Sequence, residues 1–383
     1  MLATAHTGTG KTLAFLIPVI ERLARRDAHG IGALVLAPTR ELAMQVAEQF
    51  NALTGKNLAP AALVIGGLSE APQLSAIRKG ARVVIATPGR LEDFLDRRLL
   101  HFGSLQTLVL DEADRMLDMG FLPAIRRIVA ILPKDRQTLC FSATLEASVA
   151  NIINSYMNNP VRLAFGSTLK PSENVRLQAF EISAEGKHDM LCQLLEQEKG
   201  RCLVFSRTKR GTERIAKLLN ARGIEAAMIH GGRSQSQRTA ALTGLQGGRY
   251  RVLVATDLAS RGIHVENIAH VINYDLPDLA ENFIHRVGRT GRAGARGVAS
   301  TLFLREQRTE LMRMERTLGV RFERMPGDRG SIEKTETNHG TSRPRPALHN
   351  HMDATRRGTP SMEKARLVFS SQSVALREFR RTK

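Results

Sequence analysis

The sequence predicts an α/β protein with two tandem domains, each built on a parallel sheet, followed by a disordered basic tail. Three observations support this fold class. Short runs rich in Val, Leu and Ile alternate with amphipathic helical patterns, these runs are continuous in apolar residues, and the series occurs twice. Continuous apolar strands are expected where helices cover both faces of a parallel sheet.

The first domain is assigned to residues 1–165. Strands are predicted at 1–5, 33–37, 81–85, 107–110 and 138–141. Helical spacing of the apolar residues predicts one helix that begins at Leu13 and three more that cover 40–50, 68–78 and 91–96. Strands that alternate with helices in this way are typical of a doubly wound sheet.

A polar stretch at 166–176 is the predicted linker, and the second domain is assigned to 177–324. Its predicted strands are 201–205, 226–229, 251–255, 270–272 and 299–304, and its helices include 211–220 and 234–245. Residues 325–383 have few apolar residues, with twelve basic and six acidic side chains. This composition predicts a disordered basic tail, which either binds a polyanion without sequence preference or is a solvated end with no role.

The charge balance indicates a polyanionic partner. The 383 residues contain 56 Lys and Arg against 37 Asp and Glu, which gives a formal net charge of +19. Such an excess favours nucleic acid or an anionic membrane surface, although a generally basic protein is the alternative. The apolar runs, such as 13–20, are too short to span a membrane. Three scattered cysteines suit neither a disulfide framework nor a zinc site, so we expect a cytoplasmic protein.

A loop of glycine and threonine residues separates the first strand from the first helix. Such a loop lets several backbone N–H groups converge on phosphate oxygens at a helix N-terminus. Lys11 would reach the β- and γ-phosphates, and the Thr12 hydroxyl would hold Mg²⁺. The predicted nucleotide-binding residues are Ala5, His6, Thr7, Gly8, Thr9, Gly10, Lys11 and Thr12. The alternative is a glycine turn with an incidental Lys-Thr pair.

Acidic residues follow the predicted strand 107–110. Because ligands of open α/β sheets lie at the carboxyl ends of the strands, Asp111 is placed to hold Mg²⁺ and Glu112 to polarise an attacking water. A solvated helix start with Asp111 as its N-cap is the alternative. The phosphate loop upstream in the same α/β series favours the catalytic interpretation.

With the tetrapeptide at 111–114, Asp-Glu-Ala-Asp, the sequence resembles the DEAD-box family of ATP-dependent RNA helicases. Further matches follow in the family's order over about residues 1–324: 38–43, 66–67, 87–90, 142–144, 204–209, 230–232 with Gln235 and Arg238, 255–257 and 285–292. The resemblance implies two RecA-like (P-loop NTPase) domains that face each other across an ATP-filled cleft.

The resemblance also implies roles for individual residues. Arg289 and Arg292 would act on the γ-phosphate as arginine fingers, so Lys11, Asp111, Glu112, Arg289 and Arg292 form the expected catalytic set. Asp257 and His264 would contact ATP. Ser142, Ala143, Thr144 and His285 would couple the ATP site to RNA. Expected RNA contacts, mainly to the backbone, are Thr39, Arg40, Gly67, Thr87, Pro88, Gly89, Arg90, Arg207, Gly232 and Thr256; any one of them is alternatively a turn residue.

Two departures from the family pattern bear on activity. The family's adenine-recognition segment precedes the phosphate loop, and this chain begins at the strand of that loop. Either the chain is a truncated fragment, its start was misassigned, or adenine selection has been lost, and we expect a relaxed nucleotide preference. His264 stands where the family usually has Asp, and His264→Asp is expected to raise RNA-stimulated ATPase activity. The leading function is RNA-stimulated ATP hydrolysis with Mg²⁺, coupled to local unwinding of RNA duplexes. An ATP-gated RNA clamp with little turnover and a DNA helicase are the alternatives.

Overall fold

The computed structural model describes residues 1–5, 9–25, 29–143, 156–165, 171–260, 265, 267–292 and 294–327. Within these ranges the strands form two separate seven-stranded sheets. The part of the chain up to Phe165 is called the first lobe below, and the part from Val175 to Met325 the second lobe.

The sheet of the first lobe is parallel throughout. Its strands are β1 (Leu2–Ala5), β2 (Ala33–Leu36), β3 (Ala62–Val64), β4 (Val83–Ala86), β5 (Thr107–Leu110), β6 (Gln137–Ser142) and β7 (Arg162–Phe165). They lie in the order β3-β4-β2-β5-β6-β1-β7. The described helices of this lobe are α1 (Lys11–Ala24), α2 (Arg40–Thr54), α3 (Glu70–Arg78), α4 (Pro88–Asp96), α5 (Ala113–Asp118) and α6 (Leu122–Ile131).

The second lobe repeats this architecture. Its strands are β8 (Val175–Glu181), β9 (Arg201–Phe205), β10 (Ala226–Ile229), β11 (Val252–Ala255), β12 (Ile268–Asn273), β13 (Gly297–Phe303) and β14 (Glu323–Met325), in the parallel order β10-β11-β9-β12-β13-β8-β14. Its described helices are α7 (Lys187–Gln197), α8 (Lys209–Ala221), α9 (Gln235–Gln246), α10 (Asp257–Ser260), α11 (Ala280–Val287) and α12 (Arg308–Leu318).

The strands are continuous in apolar residues because both faces of the sheet are buried, as the sequence indicates. Along β2, Leu34 and Leu36 join one hydrophobic cluster, while Ala33 and Val35 join another on the opposite face of the sheet. All four side chains are fully buried. Burying each larger side chain contributes about 1.5–3 kcal/mol, so both faces of the sheet are stabilised by the helices that cover them.

The structure confirms the doubly wound fold class and corrects several boundaries. The first helix begins at Lys11 rather than Leu13, and β4 begins at Val83 rather than at 81. The predicted linker extends too far, because Val175 already starts β8, and Met325, assigned to the tail, ends β14. The rest of the linker up to 170 and the tail from 328 lie outside the described residues.

The topology places the loops that matter for function. In parallel sheets all strands end at the same edge, so the loops after β1, β5 and β6 lie together, as do those after β2, β3 and β4. The strands β3, β4 and β2 are neighbours at one side of the sheet, so the loops that follow them are adjacent. The strands β5, β6 and β1 come next in the order, and the loops that follow them form a second adjacent group. None of the described helices is long and apolar enough to cross a membrane.

Candidate functional site

The start of α1 forms the phosphate-binding part of the candidate site. Gly10 precedes the helix with a φ of 87°, in the left-handed region that glycine adopts without strain. Lys11 is the first helical residue, and its Nζ donates to the carbonyl oxygen of Ala5 at 2.8 Å, across the loop. His6, Thr7 and Gly8 of the predicted loop lie outside the described residues.

Asp111 and Glu112 leave the carboxyl end of β5 and are buried, with 3% and 7% of their surface exposed. Glu112 takes a left-handed conformation, φ 48° and ψ 55°, at the N-cap of α5. Its backbone N–H donates to Oδ1 of Asp111 at 3.0 Å. A non-glycine residue rarely adopts this conformation, and here it lets two successive carboxylates enter one site.

The two carboxylates have different protonation behaviour. Burial, followed by the charge of Glu112, raises the pKa of Asp111 to about 7. Burial also opposes ionisation of Glu112, but the combined positive charge of Arg115, Arg289, Lys11 and Arg292 outweighs it and lowers the pKa of that carboxyl. Glu112 is therefore ionised at neutral pH, as a group that polarises water must be.

Residues of both lobes line one cavity of about 340 Å³. Gly10, Lys11, Thr12, Asp111 and Glu112 come from the first lobe, and Gln246, Arg289 and Arg292 from the second. Arg289 is 5% exposed. Burial, followed by repulsion from Arg292 and Arg115, lowers the pKa of its guanidinium well below the usual value. A cluster of buried cations of this kind is stabilised by an anionic ligand.

The lining residues fit a magnesium–nucleoside triphosphate. A Cβ built on Gly10 meets nothing within 4 Å, so the backbone there is open to an approaching phosphate. Thr12 and Asp111 both line the cavity and supply the oxygen ligands that Mg²⁺ prefers. In the described part of the chain no three His, Cys, Asp or Glu side chains are grouped to hold a metal by themselves. Mg²⁺ commonly takes one or two carboxylates together with phosphate and water.

The predicted coupling segment is joined to the acidic strand end. Ser142 ends β6 with no exposed surface, and the backbone N–H of Ala143 donates to Oδ2 of Asp114 at 2.9 Å. The other oxygen, Oδ1, accepts from the backbone N–H of Arg115 at 3.0 Å. Thr144 lies outside the described residues.

The predicted RNA-binding residues of the first lobe follow β2, β3 and β4. Thr39 caps α2, with its hydroxyl oxygen accepting from the N–H of Leu42 at 3.3 Å. Arg40 lies against the Gly66–Gly67 turn, where Gly67 has a φ of 76°. Thr87, Pro88, Gly89 and Arg90 form the N-cap and first turn of α4. Because β3, β4 and β2 are neighbours, these residues belong to one surface.

The second lobe places its predicted RNA-binding residues in the same way. Arg207, Gly232 and Thr256 follow β9, β10 and β11, which are also adjacent strands. The carboxylate of Asp275 accepts from the backbone N–H of Arg207 at 2.9 Å, and Nδ1 of His230 accepts from the N–H of Gly232 at 3.2 Å. Asp275 and His230 therefore fix the loops after β9 and β10, which contain the predicted RNA-binding residues Arg207 and Gly232.

Asp257, predicted to contact ATP, and His285, predicted to couple the ATP site to RNA, are not among the residues that line the cavity. Asp257 binds the guanidinium of Arg286, with N–O distances of 2.5 and 2.6 Å, and does not line the described cavity. His285 lies in the last turn of α11, next to Arg286. His264 lies outside the described residues.

Three side chains that sequence reasoning gave no role connect the lobes. Glu41 of α2 is 4% exposed; its Oε1 accepts from Nε2 of Gln235 at 2.9 Å, and its Oε2 pairs with Nη2 of Arg238 at 2.8 Å. These contacts are called the interlobe latch below. Nη1 of Arg40 also reaches Oε1 of Gln235 at 3.5 Å. The sequence offered one indication of these contacts. Gln235 and Arg238 are three residues apart on one helix, and this spacing places both side chains on one face.

Gln73 is a further residue that the sequence did not indicate. It is 6% exposed, and its side chain exchanges two 3.0 Å hydrogen bonds with the backbone N–H and carbonyl of Ile65. It also donates to the carbonyl of Ser69 at 3.1 Å. Gln73 thereby holds the turn that presents Gly66 and Gly67.

The chain is similar to known helicases over both lobes. Residues 1–152 match the family described as DEAD/DEAH box helicase, and residues 186–294 match the helicase conserved C-terminal domain. The DEAD-box ATP-dependent RNA helicase CshA of Bacillus subtilis is 38% identical over 326 residues, which cover 85% of this chain and 66% of that protein. CshA of Geobacillus kaustophilus is 39% identical over 85% of this chain and 70% of its own length.

A solved structure shares the two-lobed architecture. S. cerevisiae Dbp5 bound to RNA and ADP BeF3 superposes with a TM-score of 0.77 and 30% sequence identity, over 85% of both chains. The two parallel sheets described above are thus the tandem RecA-like domains that the sequence predicted.

Proposed function

Since this chain belongs to the DEAD-box helicase family, we propose that it hydrolyses ATP in response to RNA and couples hydrolysis to local separation of RNA duplexes. One observation carries the proposal. Lys11, Asp111 and Glu112 of the first lobe line the same 340 Å³ cavity as Arg289 and Arg292 of the second. A nucleotide held there contacts both lobes at once, so the site is complete only when the two lobes close on each other.

Within this site each residue has a physical task. Lys11 and the backbone N–H groups at the start of α1 bind the β- and γ-phosphates. Thr12 and Asp111 would hold Mg²⁺, which would supply positive charge to neutralise the charge that develops on the phosphates. Glu112, kept ionised by the surrounding cations, orients and polarises the attacking water. Arg289 and Arg292 stabilise the developing charge, an effect worth about 10³–10⁵ in rate.

RNA is proposed to bind the loops that follow the adjacent strands of each sheet. Backbone N–H groups, hydroxyls and the guanidiniums of Arg40, Arg90 and Arg207 suit phosphate and sugar contacts, which fix position without reading sequence. Aromatic residues make up only 4% of the chain, which does not favour a mode dominated by base stacking. We therefore propose little sequence preference and a strong salt dependence of RNA affinity.

The test compares steady-state ATP hydrolysis with single-stranded RNA, with DNA of the same sequence, and without nucleic acid. The proposal expects stimulation by RNA, weak or no stimulation by DNA, and loss of the stimulated rate in Glu112→Gln. Equal stimulation by DNA would support the DNA helicase alternative. Tight ATP-dependent RNA binding without turnover would support the clamp, which the sequence left open.

We also propose a cytoplasmic location. Cys140, Cys192 and Cys202 are all buried free thiols, as is common in proteins of reducing compartments. Fractionation of cells that produce the protein, with antibody detection in each fraction, tests this; recovery mainly outside the cytoplasmic fraction would contradict it.

A further inference from the structure

The helix α8 carries a line of basic side chains on its solvent-facing side. Its other side packs on β10 and β11 and consists of four buried residues: Thr212, Ile215, Ala216 and Leu219. Arg210, Arg214 and Lys217 are exposed and follow one another at spacings of four and three residues. These spacings place the three side chains in one line along the helix, opposite the buried face. Arg210, Arg214 and Lys217 are called the basic stripe below.

The charges of the basic stripe are not neutralised by carboxylates among the described residues, because the nearby acidic side chains have other partners. Glu213, the acidic residue of this helix, pairs with Nε2 of His230 at 3.2 Å. Asp189 of α7 pairs with Nη2 of Arg222 at 2.9 Å. The outer face of α8 therefore carries an excess of positive charge.

This arrangement is unfavourable for the helix by itself. Like charges three and four residues apart, as in the basic stripe, repel each other. Lys209 and Arg210 occupy the first turn, which contains no acidic residue, and positive charge there opposes the helix dipole. Burial, followed by the charges of Arg214 and Arg222, lowers the pKa of His188, so the positive potential extends to α7. A bound polyanion would relieve this repulsion.

The basic stripe begins at the proposed RNA-binding loops. Arg207 directly precedes Thr208, which caps α8 by accepting from the backbone N–H of Gly211 at 2.9 Å. Lys209 lies against the loop after β10, since a Cβ built on Gly232 would be 3.8 Å from its Cδ. A helix that follows a strand of a parallel sheet runs back toward the start of the strands. The stripe therefore leads away from the loops for about 10 Å along the outside of the second lobe.

We propose that the basic stripe binds the phosphate backbone of RNA that continues past the strand-binding loops of the second lobe. The inference rests on the proposed function and adds a preference for RNA longer than those loops can hold. Guanidinium and ammonium groups in a line suit successive phosphates and need no base contact, so the stripe has no sequence preference. A membrane-surface helix buries its apolar face in lipid, whereas the apolar face of α8 is packed on the sheet, which favours RNA.

Two variants with the same loss of charge separate a local contact from a general effect of net charge. The stripe variant combines Arg210→Gln, Arg214→Gln and Lys217→Gln. Glutamine keeps a long side chain and a similar helix propensity. The control variant combines Arg305→Gln, Arg313→Gln and Arg316→Gln. These three arginines are exposed and lie just before or within α12, which leads into β14 at the opposite side of the sheet from β10.

RNA affinity is measured by fluorescence anisotropy for a length series of single-stranded RNA, in the presence of a non-hydrolysable ATP analogue. The shortest RNAs that stimulate hydrolysis should bind the parent protein and both variants equally. For longer RNA at about 50 mM salt, the stripe variant should bind roughly 10-fold more weakly than the parent, and the difference should nearly vanish at about 200 mM. The slope of log affinity against log salt should become shallower by about 2, since each phosphate contact on a single strand contributes about 0.7. The control variant should match the parent at every length.

The length dependence decides the outcome. The same loss for the shortest and the longest RNA, equal losses in the two variants, or no loss at any length would overturn the inference. If the stripe variant does not fold, Arg214→Gln with Arg313→Gln as its control is judged by the same criteria, with a slope change of about 0.7.

Two further measurements identify other causes. Co-sedimentation with vesicles of phosphatidylglycerol and phosphatidylcholine tests for an anionic membrane. Vesicle binding that only the stripe variant loses, with its RNA affinities unchanged, would assign the stripe to lipid and overturn the inference. ATP hydrolysis stimulated by the shortest RNAs should be equal in the parent and the stripe variant. Absence of RNA-stimulated hydrolysis in the parent protein would instead refute the proposed function.

Discussion

The carboxylate of Asp114 accepts a 2.9 Å hydrogen bond from the backbone N–H of Ala143 and so joins the acidic end of β5 to the end of β6. Asp114 is 5% exposed, and its other oxygen accepts from the N–H of Arg115. Any displacement of the segment after β6 therefore acts directly on the residues that follow Glu112.

Asp114→Ala removes both acceptors and leaves two buried N–H groups without them. The expected result is a loss of about 1–3 kcal/mol in the free energy of unfolding. RNA stimulation of ATP hydrolysis should also fall by a larger factor than the rate without RNA. Urea denaturation and ATPase assays measure the two effects, with the exposed Asp96→Asn as control. A destabilised variant with full RNA stimulation would show that the bond has only a structural role.

Glu41→Gln tests the interlobe latch. The amide removes the charge that pairs with Arg238 at 2.8 Å, and hydrogen bonds to charged groups contribute about 1.5–3 kcal/mol. We expect the ATPase kcat divided by the half-saturating RNA concentration to fall on the order of 10- to 100-fold.

The matched control for this prediction is Glu21→Gln, which removes an exposed carboxylate 3.8 Å from Arg25 at the end of α1. Exposed pairs contribute little, so its kinetics should equal those of the parent protein. Equal kinetics in Glu41→Gln would contradict a role of the latch in closure.

Gly67→Ala tests the turn that packs against Arg40. Gly67 has a φ of 76°, and a Cβ there would overlap the Arg40 guanidinium. Gly223→Ala is the control, because Gly223, just after α8, has a closely similar φ of 77°, but a Cβ there meets nothing within 4 Å. Both variants should lose about 1–2 kcal/mol of stability. Only Gly67→Ala should weaken RNA binding, measured by fluorescence anisotropy; equal affinities of the two variants would disprove the prediction.

His270 predicts a pH dependence of stability in the second lobe. Its Nε2 lies 2.8 Å from Oγ of Ser300, which itself donates to Gln178 at 3.1 Å, so the imidazole is the donor to Ser300. Burial lowers the pKa of His270 to about 4. The unfolded chain takes up this proton near pH 6.5 and the folded chain only near 4, so stability falls as the pH drops between these values.

The size of this effect follows from the shift and is about 3 kcal/mol. The measurement is urea denaturation from pH 7.5 to pH 4, for the parent protein and for His270→Asn. The variant is less stable at neutral pH but should lose about 3 kcal/mol less over this range. Parallel pH profiles would show that another group causes the dependence.

Most of the fold could be predicted because its strands are buried on both faces. Runs such as those of β9 and β10 are continuous in apolar residues, and their predicted bounds agree with the structure. The sequence prediction missed β3, β7, β8 and β14, and of these β7 and β14 lack this signal. All four residues of β7 are exposed, and β14 is only Glu323, Arg324 and Met325. Both lie at sheet edges, where pairing with one neighbour replaces burial as the cause of strand formation.

The candidate site divides in a similar way. The sequence was enough to predict site roles for Lys11, Asp111 and Glu112, because each follows a recognisable strand within one α/β series. The latch of Glu41 with Gln235 and Arg238 was not, since it joins residues almost two hundred positions apart and depends on how two lobes meet. Arg286 was likewise inconspicuous beside Arg289 and Arg292, because only its contacts distinguish it from an exposed arginine.

The central claim is that residues of both lobes complete one RNA-dependent ATPase site, with Glu112 acting on water beside Arg289 and Arg292. The most direct test is the ATP hydrolysis rate at saturating RNA for the parent protein, Glu112→Gln and Arg289→Ala. RNA is expected to raise the rate of the parent protein, and each substitution is expected to lower the RNA-stimulated rate by about 10³-fold or more. An RNA-stimulated rate that either substitution leaves unchanged would contradict it.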